Sequence, residues 1–138
     1  MRQFLFLVWL SLTLVTAQAG DVHKVIYHIT AGVDSASGAL YNIQNHLNSD
    51  PKAKIVVVTN GAGIDFLVSN ARDQKGREFS GAVSDLASQG VEFKVCNNTL
   101  VTANLDPSKL LMEVIVVPSG VAEAARLQLD EGYAYIKP

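Results

Sequence analysis

Lys54-Ile55-Val56-Val57-Val58-Thr59-Asn60-Gly61-Ala62-Gly63 is the stretch that decides the architecture. A nearly continuous β-branched run that breaks at once into Asn-Gly-Ala-Gly describes a strand covered on both faces and ending in a tight turn. Lys24 to Ile29 has the same character, as does Glu113 to Val117. Val91 to Cys96 alternates more, which assigns one of its faces a more polar setting. Tyr133 to Ile136 is a short fifth strand suited to an edge. Between these runs the period lengthens to that of a helix. Ala36, Leu40, Ile43 and Leu47 form one stripe, with Asp34 or Ser35 placed to cap it. Ile64, Leu67 and Ala71 repeat the spacing, and Val83, Leu86 and Ala87 give a helix that Gly90 stops. Asp106-Pro107 begins a short helix toward Met112. Val121, Ala125 and Leu129 mark the last helix, which Gly132 ends. Strands that alternate with helices predict an open, mostly parallel five-stranded sheet in a three-layer α/β/α sandwich.

The first nineteen residues stand apart. Arg2 supplies a positive start, Phe4 to Val15 an apolar core, and Ala17-Gln18-Ala19 a small-residue cleavage pattern, so residues 1–19 read as a secretory signal peptide. The apolar run is too short to span a bilayer, which takes about 20 residues. Residues 20–138 then form one α/β domain, exported to the periplasm or secreted, with no membrane span left after cleavage. Loss of Arg2 makes the net charge one unit more negative than the −2 of the whole chain. With no basic patch and few aromatic side chains to stack on bases, nucleic acid is not the expected partner. Asn70 to Glu78 reads as a solvated polar loop.

Candidate chemistry follows from the parallel sheet. Ligands of such sheets bind beyond the carboxyl ends of the strands. That rule selects Thr30-Ala31-Gly32, Asn60 to Gly63, Cys96 to Thr99, and Pro118-Ser119-Gly120, loops of small or amide side chains fit for a small polar or anionic ligand. Asn60, Gly61, Gly63, Asn97, Asn98, Ser119 and Gly120 are the candidate binding residues. Cys96 is the single cysteine. At a strand end that leads into a helix its thiolate is favoured, and the thiolate is the nucleophile and sulfur carrier. The competing reading is a buried structural cysteine.

Other motifs carry less. Gly61-Ala62-Gly63 lacks the third glycine of a dinucleotide fingerprint and follows the second strand rather than the first. No phosphate-binding P-loop pattern occurs. His28 sits in an apolar strand and reads as a hydrogen-bonded core histidine. His46 falls at a helix end and His23 near the domain start, without metal-ligand spacing. No metal and no organic cofactor is expected. Ser119 is a helix cap rather than a nucleophile. Asn97-Asn98-Thr99 matches a glycosylation sequon.

These residues together resemble the DsrE/DsrF-like family, which includes sulfur-relay proteins. The likeness runs through Lys24 to Ile29, Ile55 to Leu67, Gly90 to Leu100, Val117 to Gln128 and Glu131 to Pro138. It implies a five-stranded parallel sheet and assembly into homotrimers or hexamers. In its sulfur-transferring members a cysteine at a strand end accepts sulfane sulfur as a persulfide and passes it on, and Cys96 stands at that position. Two features depart from the relay members: the apparent export signal, and an Asn97 to Asn104 stretch without the small and basic residues that follow the relay cysteine.

Three functions are therefore expected in order. The first is a sulfur carrier that uses Cys96, with a sulfane-sulfur compound or a donor or acceptor protein as partner. The second is a ligand-binding or assembly module without turnover. The third, a thiol-disulfide oxidoreductase, needs a cysteine from another molecule.

Overall fold

A computed structural model describes residues 20–138; residues 1–19, expected to be a signal peptide, lie outside the described residues. Strand β1 (Lys24–Ile29) leads to helix α1 (Val33–Ser49) and β2 (Lys54–Thr59). A 3-10 segment (Gly61–Leu67) and α2 (Phe79–Ser88) precede β3 (Glu92–Cys96), and α3 (Asn97–Thr102) with a 3-10 turn (Pro107–Lys109) precedes β4 (Val114–Val117). Helix α4 (Gly120–Glu131) and β5 (Ala134–Ile136) close the chain. The sheet is parallel throughout, in the order β4-β3-β2-β1-β5. The expected α/β/α sandwich with five strands is what the chain forms.

The strand order dictates where the helices go. From β1 to β4 each crossover advances one strand in the same direction. Right-handed crossovers therefore place α1, α2 and α3 on one face. The β4–β5 connection runs back across the sheet, so α4 takes the opposite face. Packing follows this division. Val25, Tyr27, Ile55, Val57, Phe93 and Val95 point into a large core with α1, α2 and the 3-10 segment. Ile26, Val56 and Val58 form a smaller cluster with Ala124 and Leu127 of α4, against which Tyr133 packs.

Several local expectations change. Helix α1 begins after Gly32, and neither Asp34 nor Ser35 caps it with a side-chain bond. The helix expected through Ile64, Leu67 and Ala71 is a 3-10 segment that ends at Leu67. It stops because Val68 pairs with Leu110 in an isolated antiparallel bridge, which pulls the chain toward the β3–β4 connection. Asp106 does cap a turn at Ser108 N, but that turn covers only Pro107–Lys109. β4 was expected to be buried. It is an edge strand beyond the reach of α4, with Ile115 49% and Val116 39% exposed. In α4 the buried residues are Gly120, Ala124 and Leu127. Val121 and Leu129, the apolar residues that mark the helix in the sequence, are 58% and 84% exposed.

Candidate functional site

Cys96 is the last residue of β3 and the N-cap of α3. The register pairs Val56 with Glu92 and Val58 with Lys94, so Glu92, Lys94 and Cys96 share the α4 face. The loops after β3 and β4 leave toward opposite faces, because α3 and α4 lie on opposite sides of the sheet. Their divergence opens a crevice at the strand ends, as expected of a sheet whose connections change direction. Its volume is about 540 Å³, and Asn60, Gly61, Cys96, Asn98, Thr99 and Ser119 contribute to its lining.

Two glycines set the backbone around it. A Cβ on Gly63 would stand 2.0 Å from the carbonyl oxygen of Ile29, so only glycine allows the 3-10 segment to lie against the end of β1. At Gly120 a Cβ would lie 3.2 Å from the Cys96 Cβ and 3.2 Å from the Thr59 oxygen. Glycine there lets the first turn of α4 sit against the cysteine. Ser119 caps that turn, accepting from Ala122 N at 3.4 Å.

Cys96 is 5% exposed, a thiol at the floor of an open crevice rather than at its rim. Burial pushes its pKa up. The N–H groups of Gly120, Thr99 and Asn98 and the Thr99 hydroxyl more than offset this, so the thiol lies below its ordinary value. The side chain closes no cap hydrogen bond to α3 as it stands. These donors favour the sulfur once it ionises. Thr99 Oγ1 also accepts from Gly61 N at 3.1 Å, which leaves the hydroxyl hydrogen for the sulfur. The β2 turn thus orients the hydroxyl beside Cys96.

Of the expected binding residues, Asn60, Gly61, Asn98 and Ser119 meet at the crevice with Cys96. Gly120 touches Cys96 from the α4 side, and Gly63 is buried beneath the turn. Asn97 is not brought there. It lines a separate depression with Leu100, Val101 and Asn104. Thr99 lies in the selected Cys96 to Thr99 loop but is not among the candidate binding residues, and it is the side chain that sequence reasoning missed. Its position three residues after the N-cap, where a backbone N–H is free to point at the cap side chain, was the available signal. Among the described residues no three His, Cys, Asp or Glu side chains are grouped to hold a metal ion.

A family model for the DsrE/DsrF-like family matches residues 23–138. The chain belongs to the DsrE/DsrF-like family. Among solved structures, this DsrE/DsrF-like chain is similar to MTH1491, a protein of unknown function from Methanobacterium thermoautotrophicum. The two are 35% identical, over 84% of this chain and 99% of the other, with a TM-score of 0.74. The ychN protein from E. coli shares the fold at 12% identity, over 84% of this chain and 98% of its own, with a TM-score of 0.68. No curated protein matches. No described helix is long and apolar enough to cross a membrane.

Proposed function

We propose that this DsrE/DsrF-like protein is an exported sulfur carrier that holds sulfane sulfur on Cys96 as a persulfide and hands it to an acceptor thiol. The observation that carries this reading is the set of donors around Cys96 Sγ, from Gly120, Thr99 and Asn98, which favours the thiolate despite its burial. In the first step the thiolate attacks the outer sulfur of a donor R–S–SH. The new Sγ–S bond forms as the donor S–S bond breaks, and its electron pair leaves with the inner sulfur as R–S⁻. The proton stays on the transferred sulfur. In the second step an acceptor thiolate attacks that sulfur, and Cys96 departs as thiolate. A lowered pKa makes it a better leaving group.

Export to the periplasm or beyond is part of the proposal and rests on Arg2, the Phe4 to Val15 run and Ala17-Gln18-Ala19. So is assembly into homotrimers or hexamers, which is supported by apolar side chains left in solvent at Val121, Leu129 and Ile115. Val121 also lines the Cys96 crevice, so a neighbouring subunit or a partner seated there would cover its mouth.

The near-complete burial of Cys96 favours a second reading, a ligand-binding or assembly module that never uses the thiol. Intact-mass measurement after incubation with polysulfide separates the two. The carrier gains the mass of one sulfur atom, and Cys96→Ser gains none. A wild-type protein that takes up no sulfur, or a variant that takes up as much, rejects the carrier.

A further inference from the structure

His28 lies on the α4 face of β1 and is 8% exposed, yet both ring nitrogens are engaged. Nδ1 is 2.6 Å from the Tyr135 hydroxyl, and Nε2 is 2.8 Å from Asn60 Oδ1. An amide oxygen only accepts, so Nε2 carries the hydrogen. In the neutral ring Nδ1 then accepts from the Tyr135 O–H. The direction of the whole chain follows: Tyr135 donates to His28, which donates to Asn60. Tyr135 also stands edge-on to the imidazole, with centroids 5.6 Å apart, and fixes the ring plane.

This network consumes the amide oxygen of Asn60 and leaves its Nδ2 hydrogens. Among the described residues Nδ2 has no partner, and no described buried side-chain nitrogen or oxygen goes unpaired. The Nδ2 group is therefore accessible, on a residue that lines the crevice with Cys96. A freely rotating asparagine would present oxygen or nitrogen about equally. This one is held so that it offers donors.

We infer that His28 and Tyr135 are positioning residues that lock Asn60 with its amide hydrogens toward the donor's departing sulfur. The inference rests on the carrier reading of Cys96. As the donor S–S bond breaks, negative charge grows on the inner sulfur of R–S⁻, and a fixed N–H donor stabilises that charge more than it stabilises the neutral donor. The chain carries this information from the last strand, β5, through β1 to the turn after β2. It ties the crevice to the docking of the C-terminal strand.

The test compares two reactions of the same thiol: sulfur uptake from glutathione persulfide and alkylation by iodoacetamide. Both expel an anion in line with the attack, but a departing thiolate accepts a hydrogen bond far more strongly than iodide, so the Asn60 donor favours the first. His28→Leu is expected to lower the ratio of the two rates about tenfold, the effect of losing one hydrogen bond to a charged group. His28→Gln, whose amide N–H reaches the same place, should restore most of it. Tyr135→Phe keeps the ring and removes only the hydroxyl, so it should fold normally and lower the ratio about threefold. The nitrogen chemical shifts of His28 should report hydrogen on Nε2. If the unsubstituted protein alkylates but takes up no sulfur, the carrier reading fails and the relay falls with it. If it takes up sulfur and the ratio is unchanged in Tyr135→Phe and His28→Leu, or if the hydrogen resides on Nδ1, only the relay is overturned.

Discussion

The two faces of the sheet are built from the same strands and are unlike in every other way. The face under α1, α2 and the 3-10 segment is a continuous apolar core, with Phe66, Phe93 and Val57 fully enclosed. The face under α4 has a small apolar cluster, and polar groups surround it. Lys94 reaches Glu123 at 2.7 Å, His28 holds Asn60, and Cys96 sits under Gly120. One helix cannot cover five strands. Where cover is thin, polar side chains can be paired at little desolvation cost, and the reactive groups collect there. The thick face supplies stability, and the thin face holds the candidate site.

Breaking the thick face should have the largest effect. Phe93→Ala opens a void in a region with no water access and is expected to cost about 4 kcal/mol, read from chemical denaturation. Leu127→Ala, buried under the one helix of the thin face, should cost about 2 to 3 kcal/mol, because that helix can settle into the gap. Equal losses at the two positions would contradict the asymmetry.

The ion pairs on the thin face set its acid limit. Glu123 is bound by Arg126 and Lys94, at 2.9 and 2.7 Å, and these hold its carboxyl down to about 2 from an ordinary 4.5. A carboxyl depressed on folding adds stability that is complete above its unfolded value and disappears as pH falls toward its folded one. Stability should therefore drop between about pH 4.5 and 2, by about 2 kcal/mol from this group once the full linkage value of about 3.4 kcal/mol is discounted for solvent screening. Glu123→Gln should lose that amount at neutral pH and flatten the slope in the same window. A slope that survives the substitution would place the acid sensitivity elsewhere.

Gly120→Ala sharpens the comparison at the site itself. Its Cβ would crowd the Thr59 carbonyl, which is backbone and gives little, so a cost of about 1 kcal/mol is expected. The more telling result is a rise in the thiol pKa as the Gly120 N–H shifts from Cys96, followed as the pH dependence of alkylation. The smallest effect belongs to the outward stripe of α4. Leu129→Ser should change the stability of an isolated subunit by less than about 0.5 kcal/mol. A large shift in oligomeric state with so small a change in fold would identify that stripe as a subunit contact.

Much of this was legible before any coordinates. The strands were readable because buried parallel strands leave unbroken β-branched runs, and Lys54 to Thr59 is such a run. Four of the residues picked for the loop cluster do meet at Cys96, because the rule that locates sites in open sheets depends only on the direction of the strands. Asn97 was misplaced. In a helical first turn, neighbouring side chains point about a quarter-turn apart, and the crevice received Asn98 and Thr99 instead. The helix α4 was legible but its buried side was not, because Val121-Ala125-Leu129 and Gly120-Ala124-Leu127 are both acceptable helical spacings. Periodicity cannot choose between two apolar stripes on one helix. The close approach of Gly120 to Cys96 and the pairing of Glu123 with Lys94 made the choice.

The residues alone determined the alternation of strand and helix, the parallel sheet and the position of the cysteine at a strand end. Each of these follows from local periodicity and steric preference. Tertiary structure decided the order β4-β3-β2-β1-β5, the imbalance between the faces and the donors that converge on Cys96 from Gly120 and Thr99. It also joined Tyr135, His28 and Asn60, residues far apart in the chain, into one hydrogen-bonded line. Such contacts depend on which strands become neighbours, and that is settled by the packing of all the elements at once rather than by any segment's own preference.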